Sequence, residues 1–181
     1  ANNFGNFTYT NMDEFKASSF GADTIPAFVN YVEGIYVGYK FYETAAAEGL
    51  IDYDKTVVYP FGRGLSYTTF TQTLNSVTEA DGTITVDVTV TNTGSASGKE
   101  VVEVYYNPPY TNGGIEKASA NLIGFAKTSE LAPGASENVT VTFKAEDMAS
   151  YDTYGKGCYV LEKGDYVISI NADSHTVLDS K

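Results

Sequence analysis

Tryptophan is absent from this 181-residue sequence, and cysteine and histidine occur once each, at Cys158 and His175. A lone thiol cannot close an internal disulfide. In the run Gly157-Cys158-Tyr159-Val160-Leu161, Cys158 reads as a small apolar strand residue rather than a reactive thiol. One histidine excludes sites that need several, and no Cys/His cluster suits zinc. It also leaves a Ser-His-Asp triad only one candidate base, in a polar, glycine-poor tail that would hold it badly. No acidic loop has the spacing of an EF-hand, and neither metal nor cofactor is expected. No apolar run is long enough to cross a membrane as a helix, and no charged-then-apolar leader is visible. Positive charge is scarce: 11 Lys and Arg against 23 Asp and Glu give a formal net charge of −12. Such a surface repels phosphate backbones and anionic headgroups, so neither nucleic acid nor membrane is an expected partner. Neutral sugars are compatible with it.

What is plentiful is Tyr and Phe, 15 and 10 of them, in a chain that is 43% hydrophobic and 19% charged. The first pair of figures favours strands and the second a packed core. Two unlike halves meet near residue 70. Residues 1–30 are polar and aromatic by turns, broken by Gly5, Gly21 and Pro26, and are expected to be extended or irregular. Residues 31–49 predict a helix with Ile35, Tyr39, Tyr42 and Ala46 on one face and Gly49 as its stop. The stretch Val57 to Phe70 follows, with a break at Pro60 and a Gly62-Arg63-Gly64 turn, as a crossing point between the halves.

From residue 71 the period becomes two. Thr83–Thr91 alternates strictly, with Ile84, Val86, Val88 and Val90 on the inner face. Further strands are expected at Val101–Tyr106, Leu122–Ala126 and Val139–Phe143, separated by turns at 92–98 and at Pro133-Gly134. A short helical turn is expected at 145–149. Cys158–Leu161 and Tyr166–Ile170 read as a hairpin around 162–165. About seven short strands at this spacing predict a mainly β fold, a β-sandwich preceded by one helix. The β-half should fold by itself, whereas the first 70 residues should not.

Chemistry is sparse. Glycosidic hydrolysis needs two carboxyl groups facing each other across a sugar, and 23 acids make chance pairs inevitable. Glu33, before Gly34, either complements the helix N-terminus or approaches a ligand. Asp52 and Asp54 are expected in a solvated loop, and Asp87 and Glu103 on outward strand faces. The Gly62–Ser66 run lacks the Lys-Ser/Thr of a phosphate loop, and Gly64–Thr68 lacks the last glycine of a nucleophile elbow. Arg63 either ties the halves together through a carboxylate or approaches a cleft. Tyr105, Tyr106 and Tyr110, beside Pro108-Pro109, either form an aromatic sugar platform or cap the sandwich or pack on a neighbouring domain. The Asn6-Phe7-Thr8 and Asn138-Val139-Thr140 triplets matter only in a glycosylating host.

The ordered runs Tyr31–Tyr42, Tyr59–Phe70, Val90–Gly94, Gly98–Tyr105, Leu122–Lys127 and Leu131–Gly134 closely resemble glycoside hydrolase family 3, the β-glucosidase and β-xylosidase family. The likeness covers about residues 28–172. It implies that residues 1–70 are the terminal segment of the family's α/β-sandwich domain with its junction. Residues 71–181 would then be an immunoglobulin-like, fibronectin-type-III-like β-sandwich. It further implies a parent enzyme that also carries a TIM-like barrel and acts on β-glucosides with retention. The family's Asp nucleophile and Glu acid/base match no position here, and no catalytic residue is assigned; Glu33, Arg63 and Tyr106 remain substrate-proximal or interdomain candidates. The sequence departs from the family at Arg63, where His or Tyr is usual, and in a longer 47–56 loop. A stand-alone carbohydrate-binding module and a protein-interaction sandwich are the competing expectations.

Overall fold

The structure is a computed structural model that describes residues 34–181. The expectations for residues 1–30 and for Glu33 lie outside the described residues.

Alternation on one strand organises the core. β2 (Thr83–Asn92) buries Ile84, Val86, Val88 and Val90 and turns its threonines outward, as side chains on a strand must point alternately to opposite faces. It pairs antiparallel with β1 (Phe70–Ala80) on one side and β5 (Ser136–Lys144) on the other. Val139, Val141 and Phe143 of β5 continue the same buried face. Opposite lies a four-stranded antiparallel sheet ordered β4 (Asn121–Lys127), β3 (Val101–Asn107), β8 (Val167–Asn171), β9 (Val177–Ser180). Its inner face supplies Val102, Val104, Ile168 and Ile170. The two sheets enclose a single apolar cluster, completed at its margins by Leu74, Leu131 and Met148. Met148 sits on a 3₁₀ turn, Ala145–Met148, where a helical turn is expected from sequence.

Asn92, fully buried, closes the β2 end. Its side-chain amide donates to the Ala96 and Leu131 carbonyls, 2.8 Å each, and its side-chain oxygen accepts from Thr68 Oγ1 at 2.8 Å. A buried amide satisfied in this way fixes three chain segments at once.

Three sequence expectations need correction. Within the described residues the expected 31–49 helix is confined to Tyr39–Ala47, because Gly38 holds a left-handed φ of 59° immediately before it. Ile35 therefore precedes the helix and is exposed. Gly49 does stop it: the Leu50 N–H donates to the Ala45 carbonyl and the Gly49 N–H to that of Ala46, pairing two carbonyls the helix cannot use. Second, the expected 158–170 hairpin does not form. β7 (Tyr159–Val160) pairs with β6 (Ser150–Tyr151) as a separate ribbon, while β8 pairs with β3 and β9. Third, Cys158 is exposed rather than packed.

The 47–56 loop contains a one-turn helix, α2 (Tyr53–Thr56), capped by Asp52, which also pairs with Lys55. The longer helix, Tyr39–Ala47, is α1. On the open flank of the sandwich, β1 carries a bulge between Leu74 and Ser76, and the Lys181 ammonium donates to the Asn75 carbonyl there at 2.9 Å.

Ile170 is fully buried between the sheets. Ile170→Ala is expected to lower unfolding free energy by about 2–5 kcal/mol and Ile170→Val by about 0.5–1.5 kcal/mol, read from urea denaturation.

Candidate functional site

Over β3 the outer face of the four-stranded sheet is covered. On β3 the outward residues are Glu103 and Tyr105, and α1 with the 57–67 segment lies over them. Tyr39 of α1 meets the Tyr105 ring edge-on at 6.1 Å and stacks on Phe61 at 4.8 Å. Its hydroxyl accepts the Leu122 backbone N–H at 2.9 Å, where β4 is bulged. Tyr105 donates to Glu103 at 2.9 Å, and Gly62 sits so close over that carboxylate that a Cβ there would meet Glu103 Oε1 at 2.6 Å. Glu103 is thus half-buried, a correction to its expected surface position. Asp87 does face outward on the other sheet, accepting from Thr140 and Ser76.

Burial raises the Glu103 carboxyl above its ordinary value, with the nearby Asp173 and Glu100 acting in the same direction and the Tyr105 hydroxyl opposing. Burial also pushes the Tyr105 and Tyr39 hydroxyls up.

Beside this face stands a buried carboxylate. Glu43 on α1 is 7% exposed. Its Oε1 accepts from Tyr53 at 2.6 Å and from Ser174 at 2.8 Å, and its Oε2 accepts from His175 Nδ1 at 2.8 Å. The His175 ring stacks on Tyr53 with centroids 3.6 Å apart and planes 6° from parallel. Asp173 Oδ1 accepts the His175 and Thr176 backbone N–H groups, shaping the β8–β9 turn, and the Ser174 N–H donates to the Phe61 carbonyl. Three donors around one carboxylate satisfy a charge that burial would otherwise make costly. Ser174 donates to Glu43 rather than to His175, so no serine–histidine relay is formed. The arrangement is a latch that holds α1, α2 and the β8–β9 turn together.

The sequence candidates fall elsewhere. Tyr106 is 9% exposed and belongs to the core cluster. Its position on the inward side of β3, alternate to Tyr105, removes it as a sugar platform. Arg63 is exposed and makes no ion pair among the described residues; its guanidinium lies 5.5 Å from the Tyr59 ring centre. Tyr110 is exposed at the sandwich end, near Lys117, whose buried ammonium pairs with Glu162 and donates to the Pro109 carbonyl. Sequence reasoning missed Glu43, Tyr53, Ser174 and His175. One signal was available: Glu43 falls between Tyr39 and Ala46 on the expected apolar stripe of the helix, and an acid there requires buried donors. Among the described residues no group of three or more His, Cys, Asp and Glu could hold a metal ion, and no helix is long and apolar enough to cross a membrane.

A profile for the fibronectin type III-like domain matches residues 100–174. Beta-glucosidase A of Butyrivibrio fibrisolvens is 42% identical over 77% of this chain and 18% of its own length. Among solved structures, beta-glucosidase 3B from Thermotoga neapolitana shares 37% identity with a TM-score of 0.72, over 84% of this chain and 20% of its own. The beta-glucosidase from Paenibacillus barengoltzii shares 36% with a TM-score of 0.74, over 94% of this chain and 18% of its own. A further match is the family 3 glycoside hydrolase of Bifidobacterium adolescentis, at 31% identity over 82% of this chain and 20% of its own, with a TM-score of 0.68. This chain carries the fibronectin type III-like domain of glycoside hydrolase family 3. It spans about a fifth of the length of these β-glucosidases. The matched region supplies the four-stranded sheet's β3, β4 and β8, and the latch sets Glu43 and Tyr53, outside it, against the β8–β9 turn.

Two measurements follow from this site. Glu43→Ala strips the acceptor from three hydrogen bonds, so amide exchange in α1 and residues 173–176 is expected to accelerate at least about tenfold, with β2 and β5 unchanged. For Glu103 the raised value means that the native state binds more protons than the unfolded chain just above the ordinary carboxylate range. Its contribution is therefore present at acid pH and lost as pH rises through its native value. Glu103→Gln is expected to flatten that fall, seen as a smaller drop in urea midpoint between pH 4.5 and pH 7.

Proposed function

We propose that this chain is a non-catalytic bracing portion of a β-glucosidase-like enzyme that hydrolyses terminal β-glycosidic bonds with retention. Its nucleophile and its acid/base then lie on a TIM-like barrel and an α/β-sandwich domain beyond these residues. In this reading residues 1–70 close the α/β-sandwich domain and residues 71–181 form the bracing sandwich; the start of β1 at Phe70 supports that division. One buried carboxylate, Glu43, supports it too, because its oxygens are committed to Tyr53, Ser174 and His175.

The observation that carries the proposal is the 57–67 segment. Val58, Tyr59, Phe61, Leu65 and Tyr67 are all exposed large apolar side chains, with Leu65 at 96%. Contiguous exposure of this kind marks an interaction surface. The remainder of the parent glycosidase is the occupant, since the segment lies between the α1 helix and β1, at the joint between the two halves.

Two arms test this. The purified chain is expected to show no turnover of an aryl β-glucoside; activity that survives rigorous purification would overturn the assignment. In the enzyme that contains this chain, Leu65→Asp with Tyr67→Asp is expected to lower the melting temperature and the activity. The same pair in the isolated chain should leave stability within about 0.5 kcal/mol, because both side chains are already in water there. A parent enzyme indifferent to the double substitution would also count against the reading. So would retardation of the isolated chain on β-glucan gels, the mark of a stand-alone binding module.

A further inference from the structure

Arg63 is the only arginine in the chain, and it stands in the middle of the exposed apolar segment. Val58, Tyr59 and Phe61 precede it, Leu65 and Tyr67 follow it, and all five are exposed. No other charged residue falls between Val57 and Tyr67.

The backbone that carries Arg63 is fixed. Its N–H donates to the Pro60 carbonyl at 3.3 Å across a turn whose third residue, Gly62, has a φ of 87°, as a type II turn requires. Phe61 of the same turn stacks on Tyr39, and its carbonyl accepts the Ser174 N–H at 2.8 Å. Gly62 rests on the Glu103 carboxylate. The turn is thus pinned to α1, to the β8–β9 turn and to β3, while the Arg63 side chain stays exposed. Its guanidinium lies over the Tyr59 ring, 5.5 Å from the centre, and makes no ion pair among the described residues.

We propose that Arg63 is the charged anchor of the bracing interface, and that the surface it meets in the remainder of the parent enzyme presents a carboxylate, an Asp or Glu side chain set among apolar residues. This rests on the bracing role of the 57–67 segment and adds the chemistry of its partner. When the apolar side chains on both sides of one residue leave water, the residue between them leaves water too. A guanidinium cannot shed its proton to escape that cost, as a buried lysine or carboxylic acid does. Burying the charge alone is prohibitive, so the covering surface has to supply the opposite charge. Lying over the Tyr59 face leaves the N–H groups at the guanidinium edge available, and their fork matches the two oxygens of one carboxylate. A backbone carbonyl would satisfy a donor without neutralising the charge. Arginine and tyrosine are also over-represented among the few residues that dominate protein interfaces. At a net charge of −12 the chain otherwise repels acidic surfaces, so it is Arg63 that turns an acid on the partner into an attraction at this joint.

The test compares Arg63→Met, which keeps the length and loses the charge, with Arg63→Lys and Arg63→Glu. Each is made in the enzyme that contains this chain and in the isolated 181-residue chain. In the enzyme, Arg63→Met is expected to speed thermal inactivation at least about tenfold, because the partner carboxylate is left buried and unpaired. Arg63→Lys is expected to fall between Arg63→Met and the natural residue, since an ammonium keeps the charge without the fork. Arg63→Glu is expected to be the worst of the three. In the isolated chain all three should share the natural urea midpoint, the side chain being in water there. Second-site substitutions outside this chain that restore heat resistance to the Arg63→Glu enzyme are expected to include replacement of one Asp or Glu by Lys or Arg. An Arg63→Met enzyme as heat-resistant as the natural one, a lowered urea midpoint in the isolated chain, or restoring substitutions that never remove an acid would each overturn the proposal. The Met and Lys arms decide the matter even if the Arg63→Glu enzyme fails to fold. If Leu65→Asp with Tyr67→Asp weakens the enzyme while Arg63→Met does not, the bracing surface stands and the carboxylate falls; if neither has an effect, both fall.

Discussion

β3 is covered on both faces, and the rest of the molecule is arranged around that constraint. Inward, Val102, Val104 and Tyr106 join the core between the sheets. Outward, Tyr105 lies under Tyr39, and Glu103 lies under Gly62. A strand with water on one side can leave polar groups there at no cost, but a strand buried twice cannot. Each polar atom brought over it therefore finds a partner: the Tyr105 hydroxyl on Glu103, the Leu122 N–H on Tyr39, and Glu43 on three donors from two elements. Asn171 Oδ1 alone on this face departs from the pattern. The helix is consequently part of the sandwich's own packing, even though the sequence suggests that it descends from a different domain. A piece so anchored can transmit rigidity across a joint, which is what bracing requires.

The fold was legible wherever burial on one face was uninterrupted. β2 and β5 alternate without a break, and the run in β3 is continuous, so their existence and facing could be read from the residues. β1 could not be read in this way. Its buried positions step by two from Phe70 to Leu74 and then by three to Val77, because the bulge inserts Asn75. β9 is exposed along its whole length and has no period to detect. The misassigned hairpin has an energetic cause. Ile168 and Ile170 complete the core only if β8 sits between β3 and β9, and that burial outweighs the pairing of neighbours in sequence. The displaced Tyr159–Val160 pair is instead held by Ser150–Tyr151, with Asp152 closing the intervening turn through the Gly155 and Lys156 N–H groups.

The site was less legible than the fold. At the Gly62–Ser66 turn Arg63 is exposed beside the Tyr59 ring, whereas Tyr106 belongs to the core cluster. Tyr106 was a matter of parity: on β3 one tyrosine must point in and its neighbour out, and the outward one proved to be Tyr105. The latch joins residues 132 positions apart, and no local spacing announces such a pairing. His175 looked poorly held because its support comes from the stacked Tyr53 ring and from Glu43, both distant in sequence. Only the acid on the helix stripe pointed there.

Lys181 has a consequence beyond its single bond. β1 and β9 are the outermost strands of their sheets on one flank of the sandwich, and outermost strands offer unpaired carbonyl and N–H groups to any passing chain. The bulge twists β1 locally and leaves the Asn75 carbonyl outside the ladder, and a lysine from the facing sheet occupies it. An added strand would have to displace an ammonium ion and match a kinked backbone. That flank is thereby defended against the edge-to-edge stacking that drives β-rich proteins into fibres.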